Sequence, residues 1–121
     1  MRKGGLADAE ILIQGKWTVK VIARGARRPA VEFMERLPQS ERRKTRAFLA
    51  RTAEVGPLEQ RSRPLRGKIF ELKPTAQVRL LYFLDGWRSL VITNGFVKKQ
   101  QRTPKEEIIR AEALRAEFLE G

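Results

Sequence analysis

The sequence predicts an α+β domain built on a small, twisted, mostly antiparallel sheet of about four strands, with elements in the order β-α-α-β-β-β-α. Three observations predict it. Residues 68–96 hold three successive runs, "KIFEL", "QVRLLYFL" and "WRSLVITNGF", rich in aromatic and branched side chains and separated only by "KPTA" and "DG". Two helical patterns come before them, and a third follows with its own start signal. At 121 residues the chain makes one domain. Residues 1–15 show no clear period and read as an N-terminal extension, leaving 16–121 as the folded unit.

In chain order, "KWTVKVIA" from Lys16 alternates Trp17, Val19 and Val21 with Thr18 and Lys20, the period of a strand. Pro29 suits a first helical position, and Ala30, Phe33 and Leu37 fall at helical spacing, so a short helix is expected to stop before Pro38. A second helix, capped by Ser40, buries Thr45, Phe48, Leu49 and Thr52 and ends at Gly56-Pro57; Arg42, Arg43, Lys44 and Arg46 crowd its start. "LEQRSRPLRG" reads as a loop. The first hairpin, turning about Pro74-Thr75-Ala76, sets Lys73 opposite Gln77 and Glu71 opposite Arg79, with Phe70, Leu72, Val78, Leu80 and Tyr82 on the other face. The second hairpin, turning at Asp85-Gly86, sets Leu84 against Trp87, Ile92 beside Arg79 and Asn94 beside Gln77. Leu81, Phe83, Leu90 and Ile92 then form the apolar part of the second face, while Glu71, Lys73, Gln77, Arg79, Asn94 and Lys98 gather at its polar end. Thr103 and Glu106 form a capping box around Pro104, opening a last helix with the stripe Ile108, Ala111, Leu114, Phe118. That helix is expected to cover the apolar half of the second face and leave the polar end open.

Composition limits the chemistry. The 26 Lys+Arg outnumber the 14 Asp+Glu, giving a formal charge of +12, which favours a polyanionic partner such as nucleic acid. The excess is concentrated: residues 61–104 carry ten basic groups against only Glu71 and Asp85, whereas 105–120 carry three against five acidic ones. Cysteine and histidine are both absent, which excludes thiolate chemistry and removes the usual neutral-pH proton shuttle and the commonest metal ligand. No metal or cofactor is called for. No apolar run has the length of a membrane span and no signal-peptide core opens the chain, so a cytoplasmic protein is expected.

The segments "PLRGKIFELKP", "VRLLYFLDG", "FVKKQQRTPKEEI" and "RAEALRAEF" together resemble the HigB-like, phage-derived branch of the RelE/ParE toxin superfamily, over about Trp17 to Phe118. The resemblance implies a RelE-like fold and a toxin of a toxin–antitoxin pair. Such a toxin would be an endoribonuclease cutting mRNA, commonly in the ribosomal A site, and silenced by a cognate helix-turn-helix antitoxin. The family's central arginine carries over to Arg79 and its terminal basic position to Lys98 or Lys99. The base and acid do not carry over: Glu71 stands on the preceding strand, between Lys68 and Lys73, where relatives often place lysines, and no aromatic acid follows Lys99.

Metal-independent RNA cleavage needs a base for the ribose 2′-OH, cations for the charged transition state and an acid for the departing 5′-oxygen. Arg79 is the expected phosphate clamp, because a guanidinium offers paired hydrogen bonds and stays charged. Lys98 or Lys99 would supply charge or a proton, and a lysine among like charges has its pKa lowered. Glu71 is either the general base or a cross-strand partner that positions Arg79. Arg66, Lys68, Lys73 and Arg102 are the expected RNA contacts. Two other functions fit a basic face: gyrase inhibition by a ParE-like protein, and nucleic-acid binding without catalysis.

Overall fold

A computed structural model describes residues 6–120, so residues 1–5 of the expected extension and Gly121 lie outside the described residues. The elements are β1 (Ala7–Gln14), β2 (Thr18–Arg24), α1 (Pro29–Glu35), α2 (Gln39–Val55), a 3-10 turn (Glu59–Arg61), β3 (Ser62–Arg66), β4 (Ile69–Leu72), β5 (Val78–Leu84), β6 (Ser89–Val97) and α3 (Lys105–Glu120). The fold is α+β, but the sheet has six strands, in the order β1-β2-β6-β5-β4-β3, and it is mixed. β2 and β6 run parallel, and every other neighbouring pair is antiparallel.

The four-strand expectation is corrected at both edges. Within the stretch read as an extension, Ala7–Gln14 pairs with β2 along its length, and within the stretch read as a loop, Ser62–Arg66 pairs with β4. Edge strands are hard to read because one row of backbone groups has no partner and most side chains face water. Ile11 is 61% exposed, and β3 carries Pro64, which only an edge tolerates well.

Parallel neighbours require a crossing over the sheet, and α1 and α2 lie along that path on one face. The core there joins Val19, Val21, Ala30, Phe33, Leu49, Leu72, Leu80, Tyr82, Leu90 and Ile92. α3 covers the other face, over Ile22, Ile69, Leu81, Phe83, Val91 and Phe96. Tyr82 thus packs on the α1/α2 side, its ring stacked on Phe70 and its hydroxyl 2.6 Å from Ser62 Oγ. α1 starts at Pro29 without a side-chain cap from the preceding residue; instead Glu32 reaches back to accept the Arg28 N–H and grips Arg27, whose hydrogen bonds hold its carboxyl at about 2. Ser40 does not cap α2, which begins one residue earlier, after Pro38.

Both hairpin registers differ from expectation. β4 pairs with β5 two residues further along, Glu71 opposite Leu81, and an even slip leaves every side chain on its expected face. In the second hairpin Gly86, Trp87 and Arg88 all lie in the loop, Arg88 with φ 49°, so Leu84 faces Leu90 rather than Trp87. That odd slip turns over the first half of β6 and sends Leu90 and Ile92 to the α1/α2 face. A bulge at Thr93, whose Oγ1 lies 3.2 Å from the Leu81 carbonyl oxygen, then restores the expected facing for Asn94 and beyond. Asn94 sits opposite Leu81, not beside Gln77, and its amide donates to the Glu107 carbonyl and carboxylate, anchoring α3.

Gly95 marks a close approach of the α1 side chain Phe33 to the sheet. A Cβ there would lie 2.5 Å from Phe33 and 2.7 Å from Leu80. Gly95→Ala is expected to overpack this contact and lower unfolding free energy by about 1–3 kcal/mol, measurable by urea denaturation. An unchanged midpoint would show that Phe33 can withdraw freely.

Candidate active site

Glu71 organises the site. Its side chain is fully buried on β4, and both oxygens are occupied: Oε1 accepts from Arg63 Nε at 3.0 Å and Oε2 from the Thr103 hydroxyl at 2.5 Å. Arg79 Nε stands 3.8 Å from Oε1. Burying a carboxylate is tolerable only with such partners, so three chain segments, β3, β5 and the lead into α3, meet on this one group. Thr103 therefore does not complete a capping box with Glu106. Its hydroxyl serves Glu71 instead, and it also lies 3.4 Å from Arg63 Nη2.

Arg79 is 8% exposed, far less open than a freely accessible polar end would leave it. Nη1 donates to the carbonyls of Thr75 and Val78, both at 2.9 Å, while Nε is buried without a hydrogen bond. Nη2 has no acceptor among the described residues. Burial pushes the Arg79 pKa down; Glu71 opposes that, and the nearby Arg63 and Arg61 reinforce it. The guanidinium is thus fixed in orientation, with one terminal nitrogen uncommitted.

Lys98 continues from β6, its N–H bonded to the Gln77 carbonyl at 2.7 Å, and by strand alternation it shares the face of Asn94 and Phe96. Its ammonium pKa is lowered first by burial, then by Arg79, with further contributions from Arg63 and Lys73, while Glu71 acts in the opposite sense. Lys73, half-buried at the end of β4, lies in the same field. Glu71, Arg79, Lys98 and Lys73 are therefore brought together as the sequence suggests.

The other expected residues are placed differently. Lys99 and Arg102 are exposed in the connection to α3. Arg66 and Lys68 flank Gly67 in the β3–β4 turn, at the opposite end of β4 from Lys73; Arg66 is held by Glu112 of α3 through bonds of 2.6 and 3.2 Å. Sequence reasoning missed Arg63, Thr103 and Arg61. Arg61 donates to the carbonyls of Lys73 and Pro74 and lies over the Phe48 ring, stiffening the turn that holds Arg79. The signal for Arg63 was its alternation with Arg61 and the buried acid on the neighbouring strand, but neither is readable without the β3–β4 pairing.

Fold and site together define a basic α+β protein whose sheet end presents a fixed arginine and a partly desolvated lysine around a buried carboxylate. The family model described as phage-derived protein Gp49-like matches residues 32–116, and the chain belongs to that family. It is a RelE/HigB-like family, associated with the toxins of toxin–antitoxin pairs. The search of curated proteins gives no match. Among the described residues no helix is long and apolar enough to cross a membrane.

Proposed function

We propose that the protein is a HigB-like toxin and a metal-independent endoribonuclease that cleaves mRNA on the ribosome, in the A site, and is silenced in the cytoplasm by a cognate helix-turn-helix antitoxin. The observation that carries the reading is the convergence of Arg79 and Lys98 at one sheet end, the first immobilised and the second with a lowered pKa. Arg79 Nη2 contacts a non-bridging phosphate oxygen, and Lys73 and the outer face of Arg63 add positive charge as the transition state forms. Neutral Lys98 takes the 2′-OH proton. The 2′-oxygen bonds to the adjacent phosphorus, the bond from phosphorus to the 5′-oxygen breaks, the departing oxygen takes a proton from water, and the Lys98 ammonium gives its proton to the hydroxide that remains. The products are a 2′,3′-cyclic phosphate and a 5′-hydroxyl. Lys99 and Arg102 contact flanking RNA. Glu71, with both oxygens already engaged, acts as the anchor of Arg63 and Arg79 in this scheme rather than as the base.

The test is incubation of programmed ribosomes with the protein in the presence of EDTA, followed by end-group analysis of the mRNA. Fragments ending in cyclic phosphate support the reading. Intact mRNA together with stalled gyrase would replace it with the ParE-like one.

Lys98 also fixes the sign of the pH dependence. Its neutral form grows as pH rises, so single-turnover cleavage is expected to climb by roughly tenfold per pH unit until pH passes the lowered lysine pKa, then level off. Lys98→Arg, charged throughout, should abolish the slope; a slope that survives in this variant would assign the base elsewhere.

A further inference from the structure

The proposed active site leaves one strongly basic surface unexplained. Between residues 43 and 51 the solvent-facing side chains of α2 are Arg43, Lys44, Arg46, Ala47, Ala50 and Arg51. Elsewhere several arginines are matched: Arg27 with Glu32, Arg28 with Glu10, Arg63 with Glu71 and Arg66 with Glu112. On α2, Arg43, Arg46 and Arg51 have no carboxylate within 4.0 Å among the described residues. Lys44 has only Glu41 at 3.9 Å, and that carboxylate already accepts the Thr75 hydroxyl at 2.7 Å. Like charges three residues apart on a helix, as at Arg43 and Arg46, repel, so the arrangement weakens the free protein slightly.

This surface is continuous with the site. Lys44, Phe48 and Arg51 fall at i, i+4 and i+7, on one stripe of α2, and the Phe48 ring carries the Arg61 guanidinium 4.9 Å from its centre. Arg61 in turn bonds the Lys73 and Pro74 carbonyls, and Arg79 bonds the next one, Thr75. Lys44, beside Glu41, and Arg61 thus border the turn that fixes Arg79, and Arg51 follows one helical turn beyond Phe48 on the same stripe.

Building on the ribonuclease reading, we propose that this stripe is a second RNA site, taking the phosphates of a single strand as it leaves the cleavage site and passes over the 73–77 turn onto α2. The chemistry favours nucleic acid over an acidic protein or a lipid surface. Protein interfaces need a buried apolar or aromatic centre, and interfacial helices need large apolar side chains, whereas between residues 43 and 51 the exposed apolar residues are alanines. Phosphate contacts require only cations and hydrogen-bond donors.

The test uses a 2′-O-methyl oligoribonucleotide of about 12 nucleotides, within the roughly 4–16 spanned by single-strand sites, so that binding is read without cleavage. Lys44→Ala/Arg51→Ala is expected to weaken its binding roughly tenfold at physiological salt and to reduce the salt slope by about 1.4, at ~0.7 for each single-strand phosphate that is no longer neutralised. Binding of a 2′-O-methyl dinucleotide, which reaches only the cleavage site, should stay at the wild-type value, and Arg110→Ala on α3 should behave as wild type. Unchanged affinity and slope for the long oligonucleotide would overturn the proposal. So would unchanged RNA binding with weakened affinity for poly-glutamate, which would mark the stripe as a site for an acidic protein. Failure of ribosomal mRNA cleavage by the wild type would remove the active-site reading alone, since the binding measurement does not depend on it.

Discussion

Arg79→Lys is expected to reduce mRNA cleavage by roughly 100- to 1,000-fold, the usual loss when one fixed donor to a transition-state oxyanion is removed, while the protein stays folded. The variant keeps a positive charge near Glu71, so the buried carboxylate is not abandoned, and Arg63 and Thr103 still donate to it. What disappears is the planar fork. Nη1 is committed to two carbonyls, and those bonds are what aim Nη2. A lysine ammonium cannot hold two backbone oxygens and a phosphate in the same fixed geometry, even though the charge is equal. Single-turnover cleavage and thermal unfolding of the same preparation decide the point. Wild-type cleavage by Arg79→Lys would mean that position 79 supplies bulk charge only, and the clamp would have to be sought in Arg63 or Lys73.

The pairing of Glu71 with Arg79 was legible because a strand alternates with period two. The true register differs by two residues, and the shared face survives the difference. β6 shows the opposite case. The Asp-Gly signal marked the turn but not its length, and the extra loop residues turned Leu90 and Ile92 over until Thr93 restored the facing. Lys98 therefore reached its expected face through two compensating irregularities, neither visible in the composition of the strand. β1 and β3 were hidden for a different reason. "ADAEILIQ" and "SRPLR" each pair on one side only, so they lack the uniform apolar pattern that a central strand must have. With β3 unseen, Arg63 could not be set beside Glu71. Thr103 was misread through local grammar: its position before Pro104 satisfies the rules for a cap, and only the tertiary approach of β4 offers its hydroxyl a charged acceptor.

Glu71→Gln separates anchor from base. If the carboxylate anchors the site, the neutral amide leaves the nearly buried Arg79 guanidinium without a counter-charge, and the loss of a buried partner typically costs about 3–5 kcal/mol. Arg63 is 43% exposed and can turn to water, so the low end of that range is expected here, on the order of 3 kcal/mol. For a domain of this size that is a fall of roughly 10–15 °C in thermal midpoint. Arg79→Met in the same chain should recover much of the loss, because the uncompensated charge is then gone, but it should not recover cleavage. A base would behave otherwise: Glu71→Gln would unfold near the wild-type temperature and lose only activity, and the second substitution would bring no gain in stability. The two substitutions together therefore read the role of the carboxylate from stability, independently of any RNA assay, and a stable, inactive Glu71→Gln would transfer the proton abstraction from Lys98 to Glu71.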